Sequence, residues 1–539
     1  MIKEKLELAG NLTACVLRKD AIGIERYYFG EFFFLDNLVS GEATACKNSR
    51  WELSGITRNF EEGVTERLTI YEDVLHYSLS GYHAKIELNP PSDARKLERA
   101  LLLQSEGWWL CILFEKSRGL FELCIVGDSH KKSALENAKR YLHSHETLST
   151  LRETKFRALL RKTKTRDRFK LYCWYVLLSN GVKTKHPVLK KRFTMPSKYS
   201  FRHQWLWDSC FHSIVLSLYD VKLAKEELEN LFLAQKQDGR IPHEIFLSKS
   251  ACKRFWGVDD FSPWTTQPPV LAVSVERILE TSWDEGFAKK AFKVLLKYDE
   301  WWNKKRDEDF DLLCSYHDPL ESGWDDSVRW DDVKVQESPH GMYPVEAVDL
   351  NCLLYKQRSV LSHLAKRLGF GELAKNYENL AQQSAQLVRK KMWDGDFFYD
   401  LVSGSHKMLK VKTPAAFLTL FSRVADNSQA KTLVKHLFNK EEFWTAFPLP
   451  TVSKDHPKYD PEGYWRGRSW VNLVWFAYHG LKNYGFYEEA SKLAKKVFRA
   501  IKKSFSCREN YNSATAEPMG AVDFGWSTLI LDIAKQEAL

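Results

Sequence analysis

Paired cysteines and metal-type spacings of cysteine and histidine are missing from this 539-residue chain. Its cysteines form no CxxC pair and stand singly, several in apolar contexts such as LYCWY and ELCIV. The ten cysteines are Cys15, Cys46, Cys111, Cys124, Cys173, Cys210, Cys252, Cys314, Cys352 and Cys507. Scattered thiols of this kind are typical of proteins from a reducing compartment. The pattern argues against a disulfide-stabilised fold, predicts neither a metal site nor a cofactor, and indicates a cytoplasmic protein.

Long apolar runs are also lacking, and so is a concentrated basic stripe. No stretch approaches the ~18 apolar residues of a membrane span, and the first residues, MIKEKLELAGNL, carry charges where a signal peptide is apolar. The net charge of +10 could indicate nucleic-acid binding, but the densest basic run, 152–170, has helical spacing and is interrupted by acids. A solvated helical face or linker explains that run. We therefore expect neither a membrane nor a nucleic-acid partner.

Aromatic side chains, in contrast, are abundant. They make up 14% of the chain and include 19 tryptophans. Apolar residues reach 44%, which excludes a disordered chain and allows a sizeable core. A chain of 539 residues exceeds the usual size of a single core, so we expect two domains. Flat aromatic faces also stack well against ligands, and sugars are one such ligand.

Residues 1–150 carry the pattern of β-strands. Runs such as RYYFGEFFFLDN and GWWLCILFEKSRGLFELCIVG alternate apolar and polar residues or form short β-rich blocks. They predict an antiparallel, β-sandwich-like domain that closes with a helix at about 133–145. Residues 151–167 are predicted to form a linker or linker helix. No motif in the β domain indicates its role.

Residues 168–539 carry the helical pattern of apolar residues. Twelve segments are predicted as helices: 168–180, 208–219, 222–236, 268–280, 284–305, 345–367, 371–392, 413–422, 426–437, 469–482, 485–503 and 524–537. Short glycine-bearing turns join most of them, so neighbouring helices should run antiparallel. Six such hairpins predict a mainly α protein with an (α/α)6 barrel, and the lack of a fixed-period repeat argues against an α-solenoid.

Six longer connections separate these helices and carry most of the unusual Trp, Asp, Glu and Arg residues. They span 181–207, 237–267, 306–344, 393–412, 438–468 and 504–523. Long connections that recur between helical hairpins indicate one functional face. The densest example is ESGWDDSVRWDD, at 321–332, with five carboxylates and two tryptophans in twelve residues.

Two carboxyl groups on different connections could perform acid/base chemistry on a glycosidic bond. One carboxylic acid protonates the leaving oxygen and, in the inverting geometry, a carboxylate about 6.5–9.5 Å away activates a water. Asp325 and Glu509, 184 positions apart, each have aromatic neighbours that would raise a carboxyl pKa. Taken alone, an acid in a loop is more often solvated or a helix cap.

Five segments resemble the signature segments of a family of inverting α-glycosidases that includes processing glucosidase I and bacterial mannosylglycerate and glucosylglycerate hydrolases. They are HQWLWDSCFH (203–212), TTQPPVLA (265–272), ESGWDDSVRW (321–330), FPLPTVSKDHPKYDPEGYWRGRSWVNLVWFAYHGL (447–481) and ENYNSATAEPMGAVDFGWS (509–527). They occur in the family's order and span most of the chain after about residue 165. The resemblance implies an (α/α)6 barrel and α-glycoside hydrolysis.

The resemblance also implies individual roles. Asp325, after Gly-Trp, falls on the general acid of the family, and Glu509 falls on its general base. A further set of residues falls on positions that line the sugar pocket: Trp205, Trp207, Asp208, Gln267, Gly323, Trp324, Tyr464, Trp465, Arg466, Gly467, Trp470 and Trp526. Carboxylates accept hydrogen bonds from vicinal hydroxyls, and aromatic rings cover the apolar faces of a pyranose.

Structural interpretations of several of these residues stay open. Trp205 and Trp207 could be core residues at the mouth of a helix, and Asp208 could cap a helix that starts at Ser209. The arginines Arg329 and Arg466 could pair only with loop acids. His203 and His212 are expected to be structural, since the sequence shows no partner that would orient either as a base.

Departures from the family's pattern are few. Val328 and Arg468 stand where the family often has proline, and Ser513 and Ala516 replace a Pro and a Gly of the base segment. We hypothesise that Arg468, a fixed cation beside the pocket motif, favours an aglycone that bears a carboxylate, such as glycerate.

The sequence therefore predicts an inverting, exo-acting α-glycosidase that acts on a small α-glucoside or α-mannoside. A trehalase-like hydrolase shares the ESGWDxSxRW pattern, but YWRGRSW stands where trehalases carry a different segment. A non-catalytic carbohydrate-binding protein on the same scaffold is a second alternative. Glucose versus mannose, the linkage, the aglycone and the oligomeric state stay open.

Overall fold

A computed structural model describes residues 5, 7–41, 45–81, 86–97, 100–333 and 341–539. The chain forms two compact units. The first unit comprises Met1–Lys183, Thr194–His203 and Phe246–Phe261, and the second comprises Thr184–Phe193, Gln204–Ile245 and Ser262–Leu539. Residues 334–340, within the predicted connection 306–344, lie outside the described residues.

Antiparallel sheets make up most of the first unit. A four-stranded sheet runs in chain order through Glu7–Ala9, Thr13–Leu17, Ile24–Phe29 and Phe33–Asp36. An eight-stranded sheet has the spatial order Arg95–Leu97, Ala100–Ser105, Trp108–Ser117, Leu120–Asp128, Val74–Ser80, Thr65–Tyr71, Gly55–Phe60 and Cys46–Glu52. A third, two-stranded sheet pairs Val39–Ser40 with Glu87–Leu88. The predicted antiparallel β domain is therefore confirmed.

The core of this unit follows from the alternation of its strands. In Gly55–Phe60, Ile56, Arg58 and Phe60 are buried while the residues between them are partly exposed. The buried guanidinium of Arg58 pairs with the buried carboxylate of Glu66, so the one charge in that apolar row is matched.

Helices follow the sheets. Lys131–Tyr141 packs through Ala134 and Ala138 against the large sheet, and His145–Arg161 and Arg168–Ser179 come next. The segment 151–167 is thus mostly helix. Arg168–Ser179, the first of the twelve predicted helices, belongs to the first unit.

The other predicted helices lie in the second unit, with ends shifted by a few residues. They are Leu206–Ser217, Val221–Ala234, Leu271–Thr281, Glu285–Arg306, Val348–Arg367, Gly371–Lys391, Leu418–Ser422, Asn427–Leu437, Val471–Asn483, Tyr487–Ser504 and Ile530–Gln536. Each of the twelve predicted segments holds a helix. None of the helices in the described part of the chain is long and apolar enough to cross a membrane.

Three local features differ from the prediction. The segments 413–422 and 524–537 each begin as a 3-10 turn, Pro414–Phe417 and Gly525–Leu529, before a short α-helix. The connection 237–267 contains an additional helix, Lys249–Trp256, which is capped by Ser248 and ended by Gly257 at φ +73°. Only Cys252 of that helix is buried, so its caps rather than a buried face define its ends.

Alternate helices of the second unit contact one another in a closed ring. Leu206–Ser217 contacts Leu271–Thr281, which contacts Val348–Arg367, and the contacts continue through Leu418–Ser422 and Val471–Asn483. Val471–Asn483 then contacts the turn Gly525–Leu529, which returns to the first helix. All twelve residues of Leu206–Ser217 are buried, including the polar residues Asp208 and His212.

Short strands complete the second unit and hold its connections. Ser315–Tyr316, Val345–Glu346, Asp400–Val402 and Lys407–Leu409 form a four-stranded sheet. Gln204–Trp205 pairs with Glu244–Ile245, and Asn510–Tyr511 pairs with Pro518–Met519. Gly181–Val182, a further short strand, belongs to the first unit, and the strand Phe193–Thr194 lies at the boundary of the two.

Candidate active site

Glu509 lies at the start of a hairpin that holds both of its carboxylate oxygens. The Tyr464 hydroxyl donates to Oε1, and the Ala521 backbone N–H donates to Oε2 at 2.8 Å. The Trp526 indole donates to the Glu509 carbonyl at 2.9 Å. Burial raises the pKa of Glu509, while these hydrogen bonds and the nearby Arg468 oppose the rise. The result is an oriented, desolvated carboxylate.

The space for this carboxylate depends on Gly520. Its φ is +68°, a conformation that L side chains rarely adopt, and a Cβ there would lie 2.6 Å from Glu509 Oε2. The predicted site residues did not include Gly520, although its segment was part of the resemblance. The one sequence feature that could have indicated Gly520 is its position, eleven residues after the candidate base Glu509.

Gly520→Ala should lower kcat by about 100-fold, because displacing a reacting group by about 1 Å costs that much. Gly485→Ala is the matched control, since Gly485 has φ +79° and open space around its Cβ position. Both variants carry similar backbone strain, so their unfolding midpoints should fall by similar amounts. Equal kcat in the two variants would contradict the role of Gly520. Steady-state kinetics and thermal unfolding provide the comparison.

Asp325 lies in the connection that precedes Val348–Arg367, within a group of carboxylates. Burial, together with the charges of Asp326, Glu509 and Asp318, raises the pKa of Asp325 to about 7. Tyr464 has its pKa raised by burial and by both Glu509 and Asp325, so its phenol lies in the field of the two carboxyls. Asp325 and Glu509 are therefore brought to one site.

Two other acids of 321–332, Glu321 and Asp331, have structural partners. Glu321 is fully buried and accepts from Arg306 Nη2 at 2.8 Å. Asp331 forms a two-pronged pair with Arg466, at 2.9 and 2.8 Å, which lowers the pKa of Asp331 to about 2. These contacts agree with the alternative interpretation of Arg466, that it pairs with a loop acid; its predicted place in the sugar pocket stays a prediction.

The segment 464–468 contacts both carboxyl-bearing connections. At one end the Tyr464 hydroxyl donates to Glu509. The next residue, Trp465, donates its backbone N–H to Asp326 Oδ1 at 2.8 Å. Arg466 Nη1 then donates to the Asp326 carbonyl at 3.0 Å. One short piece of chain thus fixes the candidate acid and base relative to each other.

Arg329 is buried and pairs with acids outside its own loop. Its guanidinium donates to Asp400 at 2.8 and 2.9 Å and to Asp349 at 2.6 Å. The cation also lies over the rings of Trp324 and Trp330. These contacts tie the Asp325 loop to the four-stranded sheet and to the first turn of a ring helix. Sequence reasoning expected ion pairing here but could not identify partners 20 and 71 residues away.

Asp208 lies in the first turn of the ring helix Leu206–Ser217 and is 3% exposed. The helix starts at Leu206 rather than Ser209, so Asp208 is not its N-cap; Trp205 holds that position. The charge of Asp208 contributes to the raised pKa of Tyr464, so Asp208 lies within electrostatic range of the Tyr464 phenol. The half-buried Trp205 packs edge-on against His243.

Gln267 joins two of the predicted segments. Its Oε1 accepts the Trp207 backbone N–H at 3.1 Å, and its Nε2 lies 2.9 Å from His243 Nε2. Gly323 brings in a third segment, because a Cβ there would lie 2.6 Å from the Trp207 ring. Its φ of +70° also requires glycine. The contact with His243 was not predicted, because His243 lies outside the five signature segments.

Five of the predicted tryptophans form one continuous group. Trp465 stacks on Trp470 at 3.7 Å between ring centroids and on Trp324 at 5.1 Å. Trp526 packs edge-on against Trp207 and Trp470 at 5.5 and 5.4 Å. Their exposed fractions lie between 0 and 5%. The rings therefore form a rigid apolar wall.

Gly467 makes the turn of this wall possible. A Cβ at Gly467 would lie 2.3 Å from the Asp460 carbonyl, so only glycine allows the close backbone approach. His203 pairs with Glu31, and the fully buried His212 lies 3.9 Å from Glu227, which agrees with structural roles for both histidines.

The chain is similar to known glycoside hydrolases. A family model described as a mannosylglycerate hydrolase MGH1-like glycoside hydrolase domain matches residues 201–527. The mannosylglycerate hydrolase of Rubrobacter radiotolerans is 27% identical over 415 residues, which cover 63% of this chain and 92% of that protein.

Two solved structures show the likeness of fold. A GH63 mannosylglycerate hydrolase from Thermus thermophilus, in complex with Tris and D-glycerate, has a TM-score of 0.60 at 24% identity and covers 68% of this chain and 100% of its own. A bacterial glucoamylase complexed with acarbose has a TM-score of 0.64 at 11% identity and covers 98% and 92%. Since the family model matches more than half of the residues, the chain belongs to the mannosylglycerate hydrolase MGH1-like family of glycoside hydrolases.

Proposed function

We propose that this glycoside hydrolase cleaves a small α-mannoside or α-glucoside of glycerate with inversion of configuration. Asp325 is the general acid and Glu509 the general base. The observation that carries the proposal is the contact of one segment, 464–468, with both carboxyl-bearing connections. The closed ring of helix contacts supports an (α/α)6 barrel as the scaffold.

The two carboxyl groups differ in the way that acid/base catalysis requires. Burial and neighbouring carboxylates raise the pKa of Asp325 to about 7, which keeps much of it protonated at neutral pH. Burial raises the pKa of Glu509 as well, but two hydrogen bonds to its carboxylate and the nearby Arg468 oppose that rise and favour its ionised form. One carboxyl group therefore holds a proton while the other can take one.

Hydrolysis then proceeds by a single displacement. Glu509 removes a proton from a water, whose oxygen attacks the anomeric carbon. Asp325 gives its proton to the glycosidic oxygen as the bond to the anomeric carbon breaks. The reacting water becomes the hydroxyl of the inverted sugar, and the aglycone leaves as an alcohol. Asp208 and Gln267 hold the hydroxyls of the sugar, with Trp205 beside them.

A glycerate aglycone is supported by the relatives, which are named for mannosylglycerate, and by the Thermus structure, which contains D-glycerate. Arg468 could bind the carboxylate of such an aglycone. Its guanidinium donates to the Glu462 carbonyl at 3.0 and 2.6 Å and to Asn510 Oδ1 at 3.3 Å. Among the described residues these bonds leave two of its five N–H groups for a ligand. A cytoplasmic location is part of the proposal, since none of the ten cysteines is paired.

Proton NMR of the products tests the function. Purified protein should release β-mannose or β-glucose first from mannosylglycerate or glucosylglycerate, before mutarotation. Faster turnover of α,α-trehalose would favour the trehalase-like alternative. Binding of the sugars without turnover would favour a non-catalytic protein, and α-anomers as first products would contradict inversion.

Arg468→Ala should lower kcat/KM for glycosylglycerates by about 10-fold or more, because it removes a charge-assisted hydrogen bond. The matching glycosylglycerols, which lack the carboxylate, should lose much less. Arg468→Lys, which keeps the charge, should fall in between. An unchanged ratio of the two activities in Arg468→Ala would show that Arg468 does not recognise the aglycone.

A further inference from the structure

Three carboxylates and one imidazole meet outside the candidate active site. Asp309, Asp311, Glu346 and His406 each offer one ligand atom, and these atoms all lie within 4.8 Å of one another. Sequence reasoning predicted no metal site, because Asp309 and Asp311 come from one connection, His406 from another and Glu346 from the start of a predicted helix, with no spacing rule to link them. The fold brings them together.

The spacing of the ligand atoms fits an octahedral coordination sphere. His406 Nε2 lies 3.0 Å from Asp311 Oδ2, 3.4 Å from Asp309 Oδ2 and 3.7 Å from Glu346 Oε1. Around an ion with bonds of about 2.1–2.4 Å, neighbouring ligand atoms are about 3.0–3.4 Å apart and opposite ones about 4.2–4.8 Å. Small side-chain movements would bring all four atoms into contact with one ion.

Unpartnered buried oxygens point to a missing cation. Glu346 is fully buried, and both of its carboxylate oxygens lack a hydrogen-bond partner within 3.5 Å among the described residues. The buried Oδ1 of Asp309 also lacks one. Burial and the charges of Asp311 and Asp309 raise the pKa of Glu346 to about 8, while the Ser403 hydroxyl and the Lys391 ammonium oppose the rise. A buried carboxylate with no donor at hydrogen-bond distance is costly unless a cation neutralises it.

We propose that Asp309, Asp311, Glu346 and His406 form a binding site for a divalent cation of the Mn²⁺ type. Carboxylate oxygens suit Mg²⁺, Ca²⁺ and Mn²⁺, whereas the imidazole nitrogen favours a transition metal over Ca²⁺. Three carboxylates give the site enough negative charge to hold such an ion. The proposal does not depend on the proposed function, and the ion takes no part in the hydrolysis.

Lys391 competes with the ion for this site. Its ammonium pairs with Asp311 Oδ2 and lies 3.2 Å from His406 Nε2. A metal ion that uses Asp311 must displace this ammonium, so Lys391 weakens binding. Removal of the Lys391 ammonium should therefore tighten metal binding, whereas removal of a ligand such as Glu346 should weaken it.

The site would brace the connection that carries Asp325. Glu346 lies on a strand that pairs with Ser315 on one side and with Leu401 on the other. The stretch 317–344, which includes Asp325, connects the strand Ser315–Tyr316 to the strand Val345–Glu346. A bound ion would join Asp309 and Asp311, just before this stretch, to the strand just after it.

Mn²⁺ titration of EDTA-dialysed protein, followed by the EPR signal of free Mn²⁺, tests the site. Wild-type protein should bind one Mn²⁺ per chain. Glu346→Gln and His406→Ala should each weaken binding by about 10-fold or more, since each removes a ligand. Lys391→Met should tighten it. Mn²⁺ should also raise the unfolding midpoint of the wild type and of Lys391→Met but not that of Glu346→Gln.

Two controls keep the result specific. Lys410→Met removes a lysine that pairs with Asp394 near the surface and should leave Mn²⁺ binding unchanged. Asp325→Asn should also bind Mn²⁺ normally, so a failure of the proposed function would not affect this test. The proposal is overturned if neither wild type nor Lys391→Met binds Mn²⁺ at about 1 mM, the weakest affinity of a biological site. Unchanged binding in both a folded Glu346→Gln and a folded His406→Ala would overturn it as well.

Discussion

Asp325→Asn should lower kcat on a glycosylglycerate by about 1,000-fold, within the range that general acid catalysis contributes. The same variant should cleave the corresponding α-glycosyl fluoride within about tenfold of the wild-type rate, because fluoride leaves with little help from a proton. The amide cannot donate the proton that the glycerate oxygen needs. Parallel assays of both substrates separate the acid step from binding.

The pH dependence of kcat/KM provides a second test of the role of Asp325. Asp325 must be protonated to act, and its pKa is raised to about 7, so kcat/KM should fall as the pH rises above about 7. In Asp325→Asn this alkaline limb should disappear. Asp332→Asn, in the same loop but exposed, should behave like wild type in both assays. Equal losses on the glycoside and the fluoride would show that Asp325 is not the acid.

Glu509→Ala should lower kcat by about 1,000-fold or more on both substrates, because removal of a proton from water is needed whatever group leaves. Azide, which needs no base, should restore turnover of the fluoride and yield a β-glycosyl azide. The cavity left by the missing carboxylate provides room for the azide ion. Kinetics with and without azide, and NMR of the azide product, measure the effect.

Two controls bear on the base assignment. Glu517→Gln, an exposed acid of the same hairpin, should keep wild-type activity. Glu509→Gln should lose activity but gain nothing from azide, since the amide still fills the site. An α-glycosyl azide from Glu509→Ala would indicate a covalent intermediate and contradict a single displacement.

Much of the helical unit could be predicted because its helices bury one or more apolar faces. Leu206–Ser217 and Val471–Asn483 follow the helical period in sequence and lie within the ring of helices. Lys249–Trp256 could not be predicted, because it buries a single side chain and depends on its caps. The start of the helix near Asp208 was predicted three residues too late. Its N-cap is Trp205, whose side chain makes no capping hydrogen bond and so gives no signal in the sequence.

The site was predicted as a set of residues but not as a set of contacts. Tyr464 was expected to line the sugar pocket, yet its hydroxyl donates to Glu509, which single-sequence spacing cannot indicate. Gly520 went unnoticed because its importance comes from the position of one carboxylate oxygen. Arg329 was assigned to ion pairing, and its partners Asp349 and Asp400 became evident only once the chain was folded.

The contacts of segment 464–468 have a consequence for how this family can diversify. Retaining and inverting geometries differ by only about 2–4 Å in the separation of two carboxyl groups. Here a few consecutive residues set that separation, since Tyr464 contacts Glu509 and Trp465 contacts Asp326, the neighbour of Asp325. Substitutions that leave these contacts intact should leave that separation unchanged. Descendants of this scaffold that keep segment 464–468 should therefore keep the stereochemistry of the reaction, even where other loop residues differ.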